Sequence, residues 1–286
     1  MDDVNWGVVN NGLDFLESSV DHLAKGTERD LKYAALHLFA SMETLVKARL
    51  AREHWTLVTA DAKIPSQASY RAGEARSVTI TQALQRLEAV ANVRYDEESI
   101  KRIRAVERLR NRAAHFSMRG ETQKRVEVTV AQGLDFMLHF IETQLRPGAP
   151  QGEAELIDRT LEGGRQTLGS VQALVLERLR SLQEALHEYP FTLDCPACRQ
   201  PCLVLAEGRS ARCLYCLYDA EGPEIAEIYT IVILEIRRED YASGGVEWPV
   251  ADCPDCSEEA FVPYIYSTDD REIGSACFAC GLSRPD

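Results

Sequence analysis

The sequence predicts a multidomain protein in which an all-α up-and-down helical bundle is followed by two small β-rich zinc ribbons. Two observations support this fold class. Apolar residues recur with helical spacing from Asp3 to about Leu145, and four Cys-x-x-Cys pairs fall within the last third of the chain. With 286 residues, the chain is long enough to bury one large or two medium hydrophobic cores.

The predicted bundle consists of successive amphipathic helices separated by polar segments. Its first apolar stripe comprises Trp6, Val9, Leu13, Leu16 and Val20, and further helices are predicted at about 27–54, 79–93, 97–116 and 121–145. Residues 55–76 are polar and contain proline and glycine, so a loop is expected there. The segment 146–150, Arg-Pro-Gly-Ala-Pro, ends the bundle because proline and glycine break helices.

Beyond the bundle, the character of the sequence changes twice. Residues up to about 190 keep a helical pattern, whereas those that follow favour short strands between cysteines. Residues 225–236 remain ambiguous, because their spacing suits a helix and their β-branched content suits a strand. The predicted divisions are a bundle at 1–148, a helical linker or extension at 149–190, a first zinc ribbon at 191–221, a connecting element at 222–250 and a second zinc ribbon at 251–286.

Charge is distributed unevenly along the chain. The net charge of −13 argues against general nucleic-acid binding. Residues 101–125, however, hold nine Lys or Arg against two Glu, a balance of +7, whereas residues 188–286 hold 19 acidic against 7 basic residues, a balance of −12. An acidic protein can therefore still present one cationic groove, and the segment 101–125 is the candidate.

The cysteines are expected to be metal ligands because the sequence suggests a cytoplasmic protein. No run of 18 apolar residues is present, so we expect no membrane span, and the acidic start Met1-Asp2-Asp3 lacks the pattern of a signal peptide. Thiols stay reduced in the cytoplasm, which favours metal binding by the nine cysteines over disulfides.

The spacing of eight cysteines predicts two structural Zn²⁺ sites. A two-residue gap lets a tight turn direct both sulfurs of a pair at one ion, and two such pairs complete a tetrahedron. Since four thiolates leave no open position, no chemistry is expected at the metal. The two predicted ligand sets are Cys195, Cys198, Cys213 and Cys216, and Cys253, Cys256, Cys277 and Cys280.

The sequence gives less direct information on the role of the ninth cysteine and on the function of the ribbons. Cys202 has no partner cysteine, so we interpret it as a small buried apolar residue, with a substitute role for the ligand Cys198 as the alternative. The acidity of the region favours docking of a protein partner or inhibitor, or self-association, over nucleic-acid binding. A zinc-ribbon regulator that binds DNA remains the competing interpretation, and it predicts salt-dependent binding to duplexes.

The strongest functional motif is the segment 110–115, Arg-Asn-Arg-Ala-Ala-His, near the end of the basic helix. Arg108, Asn111, Arg112 and His115 are spaced i, i+3, i+4 and i+7, so they share one helix face. Arg110 is about 140° away from His115 on an ideal helix. Local unwinding at the helix end would bring these two side chains closer.

The set Arg110-Asn111-x-x-x-His115 resembles the signature of the HEPN superfamily, and a helical bundle of this length is similar to the HEPN fold. The resemblance covers about residues 3–145. It implies a metal-independent endoribonuclease that acts as a homodimer through the bundle, with Arg110, Asn111 and His115 as catalytic residues in a composite cleft. Arg108 fits the family spacing as well as Arg110 does, so the identity of the catalytic arginine stays open.

The same residues also suit RNA cleavage on chemical grounds. The 2′-hydroxyl of RNA attacks its own phosphate if one group removes its proton and another protonates the leaving 5′-oxygen, and histidine can do either near neutral pH. An arginine neutralises the charge that builds on the phosphorane. Flanking phosphates are expected to bind Arg102, Arg104, Arg108, Arg112 and Arg119.

Two alternatives to a nuclease follow from the same sequence. The basic segment can be a solvated helix whose His115 and Arg119 interact favourably with the negative end of the helix dipole. The protein is then a catalytically inactive scaffold or regulator that binds a protein partner or a nucleotide. Because such a nuclease endangers its own cell, an active enzyme is expected to work in a toxin–antitoxin or antiphage defence setting, an expectation that rests on analogy alone.

Overall fold

A computed structural model describes residues 3–61, 63–118, 120–206, 210–239, 248–266 and 272–284. The chain divides into two compact units, Met1–Gly164 and Arg165–Asp286. Helices build the first unit, and the second carries small antiparallel sheets with two clusters of four cysteines. The predicted fold class is thus confirmed. No helix among the described residues has the length and apolar character needed to span a membrane.

The helices of the first unit begin and end close to the predicted limits. Their bounds are α1 Asp3–Lys25, α2 Glu28–Glu53, α3 Gln67–Arg71, α4 Ile80–Ala91, α5 Glu97–His115 and α6 Gln123–Phe140. Helix α7, Gln151–Ser170, begins in the first unit, and its last residues, from Arg165 on, belong to the second. Residues 55–76, predicted as a loop, contain a short 3₁₀ helix at Trp55–Val58 as well as α3. One π-helical turn, Ile141–Leu145, extends α6.

Side-chain caps explain where several of these helices begin. The hydroxyl of Thr27 accepts the N–H of Asp30 at the start of α2, and Asp96 accepts the N–H of Ser99 at the start of α5. Thr79 and Gln82 form a reciprocal capping box at α4. The central helix is α2, since it packs against α1, α4, α5 and α6 and buries a nearly continuous apolar stripe from Leu31 to Leu50.

Among its described residues, the second unit contains two antiparallel sheets and the helices α8 and α9. Strands β1 Leu203–Ala206, β2 Ser210–Cys213 and β3 Asp219–Glu221 form one sheet. Strands β4 Ala251–Asp252, β5 Glu259–Tyr266, β6 Glu272–Cys277 and β7 Ser283–Arg284 form the other. Helix α8, Gln172–Leu186, precedes the first sheet, and α9, Gly222–Val232, connects the two.

The ambiguous segment 225–236 is largely helical. Helix α9 starts after Glu221 with a proline in its first turn, where the missing N–H costs nothing. It buries Ile225, Ala226 and Tyr229, and the ring of Tyr229 lies 4.9 Å from that of Phe278 between the centroids. Packing of this apolar face against the second sheet outweighs the β-branched composition.

Candidate metal centres and the motif on helix α5

The structure brings both predicted sets of four cysteines together. In each set the four sulfur atoms lie within 4.8 Å of one another. Cys195 and Cys216 are 3.8 Å apart between their sulfurs, as are Cys198 and Cys213. In the second set, Cys253–Cys280 and Cys256–Cys277 are each 3.7 Å apart. A tetrahedral ion with zinc–sulfur bonds of about 2.3 Å requires sulfurs about 3.8 Å apart, so both clusters could hold a metal ion and are compatible with zinc.

All four Cys-x-x-Cys turns share one backbone conformation. The residue after the second cysteine has a positive φ in each turn, and it is Arg199 (61°), Leu217 (59°), Ser257 (61°) or Gly281 (75°). Its N–H donates to the carbonyl of the first cysteine at 2.8–3.0 Å, and the N–H of that first cysteine donates to the carbonyl five residues later at 2.7–2.9 Å. Three of the four positions are not glycine, so the turn accepts left-handed strain to direct its sulfurs.

Burial of the first cluster disfavours charged thiolates unless a cation lies beside them. All nine cysteines are free, and the four of the first cluster are buried. Burial raises the pKa of the Cys213 thiol well above its usual value, and a divalent cation supplies the charge that favours the ligating thiolate form. Burial also raises the pKa of Cys202, to about 12, which keeps this ninth cysteine a neutral thiol.

Helix α5 holds the Arg-Asn-x-x-x-His motif on its last two turns. The helix stays regular through His115, and the N–H of Phe116 still donates to the carbonyl of Arg112 at 3.0 Å. No unwinding therefore brings Arg110 toward His115. The imidazole of His115 is exposed, whereas Arg110 and Asn111 are half-buried. The guanidinium of Arg110 donates to the Asn111 amide oxygen at 2.9 Å and lies 5.1 Å above the centre of the Phe39 ring.

The five arginines predicted to bind RNA differ in their surroundings. Arg102 donates to the buried carboxylate of Asp135 on α6 at 2.8 Å, and Arg112 pairs with Glu121. Arg104 and Arg108 are exposed. Arg119 lies outside the described residues. The positive charge of Arg102 and Arg112 is thus partly offset within the chain, and an RNA contact by any of the five stays a prediction.

The sequence patterns indicate neither Phe39 as the partner of Arg110 nor Glu121 as the partner of Arg112. In the sequence, Phe39 is one of many apolar residues in a predicted helix, and Glu121 is one acid in a basic segment. One signal was available: Phe116 directly follows the motif, and the structure leaves its side chain 83% exposed. A large aromatic side chain that the core does not use, placed beside an exposed imidazole, suits contact with a ligand or a second protein.

Comparison of the chain with family models, with curated proteins and with solved structures found no significant match in any of the three. A function must therefore be argued from the two sites themselves. The cysteine clusters offer closed metal coordination, and the end of α5 offers an imidazole, an amide and guanidinium groups without a metal ligand set.

Proposed function

We propose that the first unit is a metal-independent endoribonuclease of the HEPN type that acts as a homodimer. One observation carries this proposal: an exposed imidazole, that of His115, ends a basic helix that also offers Arg108 and Asn111 on the same face. This combination can bind a phosphodiester and exchange protons with it.

The proposed reaction uses the RNA's own nucleophile. One imidazole accepts the proton of the 2′-hydroxyl, whose oxygen forms a bond to phosphorus. The bond between phosphorus and the 5′-oxygen breaks, and a second imidazole supplies the proton to the leaving oxygen. The products are a 2′,3′-cyclic phosphate and a 5′-hydroxyl. Because each protomer has one His115 at this position, a two-fold dimer supplies both roles.

We assign to Arg110 the neutralisation of the negative charge on the phosphorane. Asn111 would orient the guanidinium of Arg110. The hydrogen bond from Arg110 to Asn111 and the Phe39 ring beneath the guanidinium reduce its freedom before substrate binds. A restrained guanidinium loses less entropy in the transition state than a mobile one. Arg108 and Arg104, which are exposed, would bind flanking phosphates.

The proposed substrate is single-stranded RNA. Phe116 lies one residue beyond His115, and its exposed ring can stack on a nucleobase next to the scissile phosphate. Bases of a duplex are already stacked and paired, so they do not offer a free face to this ring. The same ring favours strands or loops whose bases can turn outward.

The two cysteine clusters are proposed to hold structural zinc. Zinc suits four thiolates in a tetrahedron and leaves no coordination position for a substrate. The ion would supply folding free energy to ribbons that are too small for a sufficient core. Because eight thiolates must remain reduced, we propose a cytoplasmic location.

The ribbons are proposed to bind a protein partner or inhibitor that restrains the nuclease. A nuclease of this type is compatible with a toxin–antitoxin or antiphage defence role, in which activity must be conditional. This part of the proposal rests on the family resemblance and on the acidity of the ribbon region, not on a contact within the chain.

The decisive experiment compares two histidine variants of the full chain on labelled single-stranded RNA. His115→Ala is expected to abolish cleavage, whereas His139→Ala, which removes another exposed imidazole of the same unit, keeps it. Cleavage should persist during a short incubation in EDTA and yield a 2′,3′-cyclic phosphate, identified by mass spectrometry. Equal activity of the two variants, or an absolute requirement for a divalent ion, contradicts the proposal.

The second candidate function is a catalytically inactive regulator. Two observations favour it: the imidazole of His115 makes no hydrogen bond to any residue that the structure describes, and Glu121 and Asp135 pair with two of the basic residues. An acid–base histidine needs an orienting partner, and the described residues of one protomer do not supply one to this imidazole. RNA binding without cleavage by the dimer would support the regulator.

A further inference from the structure

The two metal centres are built alike but surrounded differently. All four cysteines of the first are buried, whereas Cys256 and Cys280 of the second are half-buried. Proline follows the first cysteine of each ribbon, and Pro196 is buried while the equivalent Pro254 is exposed. The second ribbon thus presents one edge of its metal site to solvent, and the first ribbon does not.

The first centre is covered by a fully buried arginine from α8. Arg178 is 1% exposed, and its guanidinium donates to the carbonyl oxygens of Tyr215 at 2.5 Å and Leu214 at 2.9 Å. These two carbonyls belong to the residues between the ligands Cys213 and Cys216. The fork of the guanidinium therefore holds the turn that presents half of the ligand set.

The end of α7 holds the same ribbon from another direction. The hydroxyl of Tyr215 donates to the carbonyl of Leu168 at 2.8 Å, and the side chain of Gln200 donates to the carbonyl of Gly169 at 3.0 Å. A side chain at position 169 would meet the carbonyl oxygen of Cys198 at 2.2 Å, so only glycine permits this approach. Both Cys-x-x-Cys turns of the first centre are therefore braced by residues 168–178.

We propose that Arg178 is a positioning residue of the first metal centre, and that the two centres differ in function as a result. The first centre releases its ion slowly and has a structural role. In the second centre, Gly222 and Tyr229 of α9 pack against the Cys277–Cys280 turn, but no side chain among the described residues donates a hydrogen bond to a carbonyl of either Cys-x-x-Cys turn. This centre exchanges its ion and is the metal-responsive part of the protein.

The physical argument concerns how a four-thiolate site loses its ion. One thiolate must leave first, and a chelator or water must reach the opened position. In the first centre, moving Cys213 or Cys216 requires breaking two buried hydrogen bonds to a charged group, each of which is more stabilising than a neutral hydrogen bond. In the second centre, Cys256 and Cys280 are only half-buried residues, so a chelator meets less covering protein there. Removing a residue that, like Arg178, hydrogen-bonds to the turn of a metal ligand typically lowers metal affinity about 10–100-fold.

The first experiment uses the unmodified full chain loaded with zinc. In excess chromophoric chelator, absorbance is expected to report one equivalent of zinc released rapidly and a second at least about tenfold more slowly. Alkylation quenched at intervals and mapped by mass spectrometry should label Cys256 and Cys280 before the first cluster. Release of both ions in a single phase, or earlier labelling of the first cluster, overturns the proposal.

The second experiment assigns the slow phase to Arg178. Arg178→Met keeps the length and the apolar stem but removes the fork, and Arg178→Lys keeps the charge alone. Both are expected to accelerate the slow phase about 10–100-fold and to leave the fast phase unchanged. Arg180→Ala is the matched control, since that neighbouring side chain is 65% exposed and pairs with Glu177.

Folding of the variants is checked by circular dichroism in the zinc-loaded state. A folded Arg178→Met protein that releases both ions at the unmodified rates contradicts the positioning role. Full restoration of slow release by Arg178→Lys would instead show that charge, and not the fork, retains the ion. Neither readout depends on ribonuclease activity, so this inference and the proposed function succeed or fail separately.

Discussion

Cys202 and Ala260 occupy equivalent positions in the two ribbons. Each lies seven residues after the first ligand of its ribbon and is fully buried. The carbonyl of Cys202 accepts the N–H of Leu214 at 2.9 Å, and the carbonyl of Ala260 accepts the N–H of Phe278 at 2.9 Å. Since alanine serves in one ribbon, the position requires a small side chain and not a sulfur ligand.

This equivalence predicts the behaviour of a substitution. Cys202→Ala is expected to keep two bound zinc ions per chain, measured by native mass spectrometry, and to cost about 1 kcal/mol of unfolding free energy. Cys198→Ala should lose one ion, because it removes a ligand of the first cluster. The reverse result, with an ion lost only from Cys202→Ala, would exchange the roles of the two cysteines.

A second prediction concerns the buried ion pair between α5 and α6. Arg102→Ala removes the guanidinium that lies 2.8 Å from Asp135, whose carboxylate is 6% exposed. Breaking a buried pair in this way typically costs about 3–5 kcal/mol, so the midpoint of urea denaturation should fall substantially. Arg104→Ala, on the same helix but exposed, should change stability little. If Arg102→Ala weakens RNA binding while stability is unchanged, the residue contacts RNA directly.

A third prediction follows from a cluster of rings between α1 and α2. Burial, and then the charge of His22, lower the pKa of His37, whose ring accepts or donates a hydrogen bond with Ser18 at 2.9 Å. The unfolded chain therefore binds a proton at a higher pH than the folded chain does. The contribution of the neutral His37 ring to the unfolding free energy is fully present above the unfolded pKa of about 6.5. It is lost as the pH falls below that value.

The measurement is the urea midpoint for unfolding of the first unit at several pH values between pH 5 and pH 8, with unfolding monitored by circular dichroism. His37→Gln is expected to flatten the pH dependence, since glutamine cannot take up a proton. His139→Gln, at an exposed position, should leave the slope as it is. Identical slopes in the three proteins would show that His37 titrates alike in the folded and unfolded chains.

Local sequence signals predicted the metal centres and the helix starts well. The ligands Cys195 and Cys198 are close in the chain, and a tight turn alone sets their geometry. Likewise, Thr79 and Asp96 cap helices through hydrogen bonds that span three residues. Such features depend on short-range chemistry that a single sequence displays directly.

Features that depend on tertiary packing could not be predicted in this way. The pairing of Arg102 with Asp135 joins two helices whose relative register is set by the whole core. The burial of Arg178 depends on where α8 meets the ribbon, so its sequence suggested only one more charged position on a helix. The sequence of segment 225–236 favours a helix by its spacing and a strand by its β-branched content, and only packing against the second sheet decides for the helix.

Phe116 provides a fourth prediction, on substrate preference. Phe116→Ala is expected to raise KM for single-stranded RNA about tenfold, corresponding to the 1–3 kcal/mol of a stacked base, with a small effect on kcat. Phe116→Trp should retain activity and show fluorescence quenching on RNA binding. Ile64→Ala, which removes an equally exposed apolar side chain elsewhere, is the control. A loss of dimerisation in Phe116→Ala, measured by light scattering, would assign the ring to the protein interface.

The choice between Arg108 and Arg110 is tested by substituting each arginine in turn. On a regular helix Arg108 is about 20° from His115 and Arg110 about 140° from it, so the two arginines reach a phosphate from different sides. The restrained Arg110 is expected to matter more: Arg110→Ala should lower kcat about 10²–10³-fold, and Arg108→Ala should mainly raise KM and weaken the salt dependence of binding. Each effect is read from single-turnover kinetics at two salt concentrations.

A shared cleft that needs two imidazoles predicts the result of mixing unmodified protein with His115→Ala. Mixed dimers contain only one His115, so subunit exchange in a 1:1 mixture is expected to lower the activity by about half, because each cleft needs groups from both protomers. Two independent sites, one in each protomer, would keep the activity unchanged on exchange. The mixing experiment therefore tests the shared cleft itself, separately from the identity of the arginine.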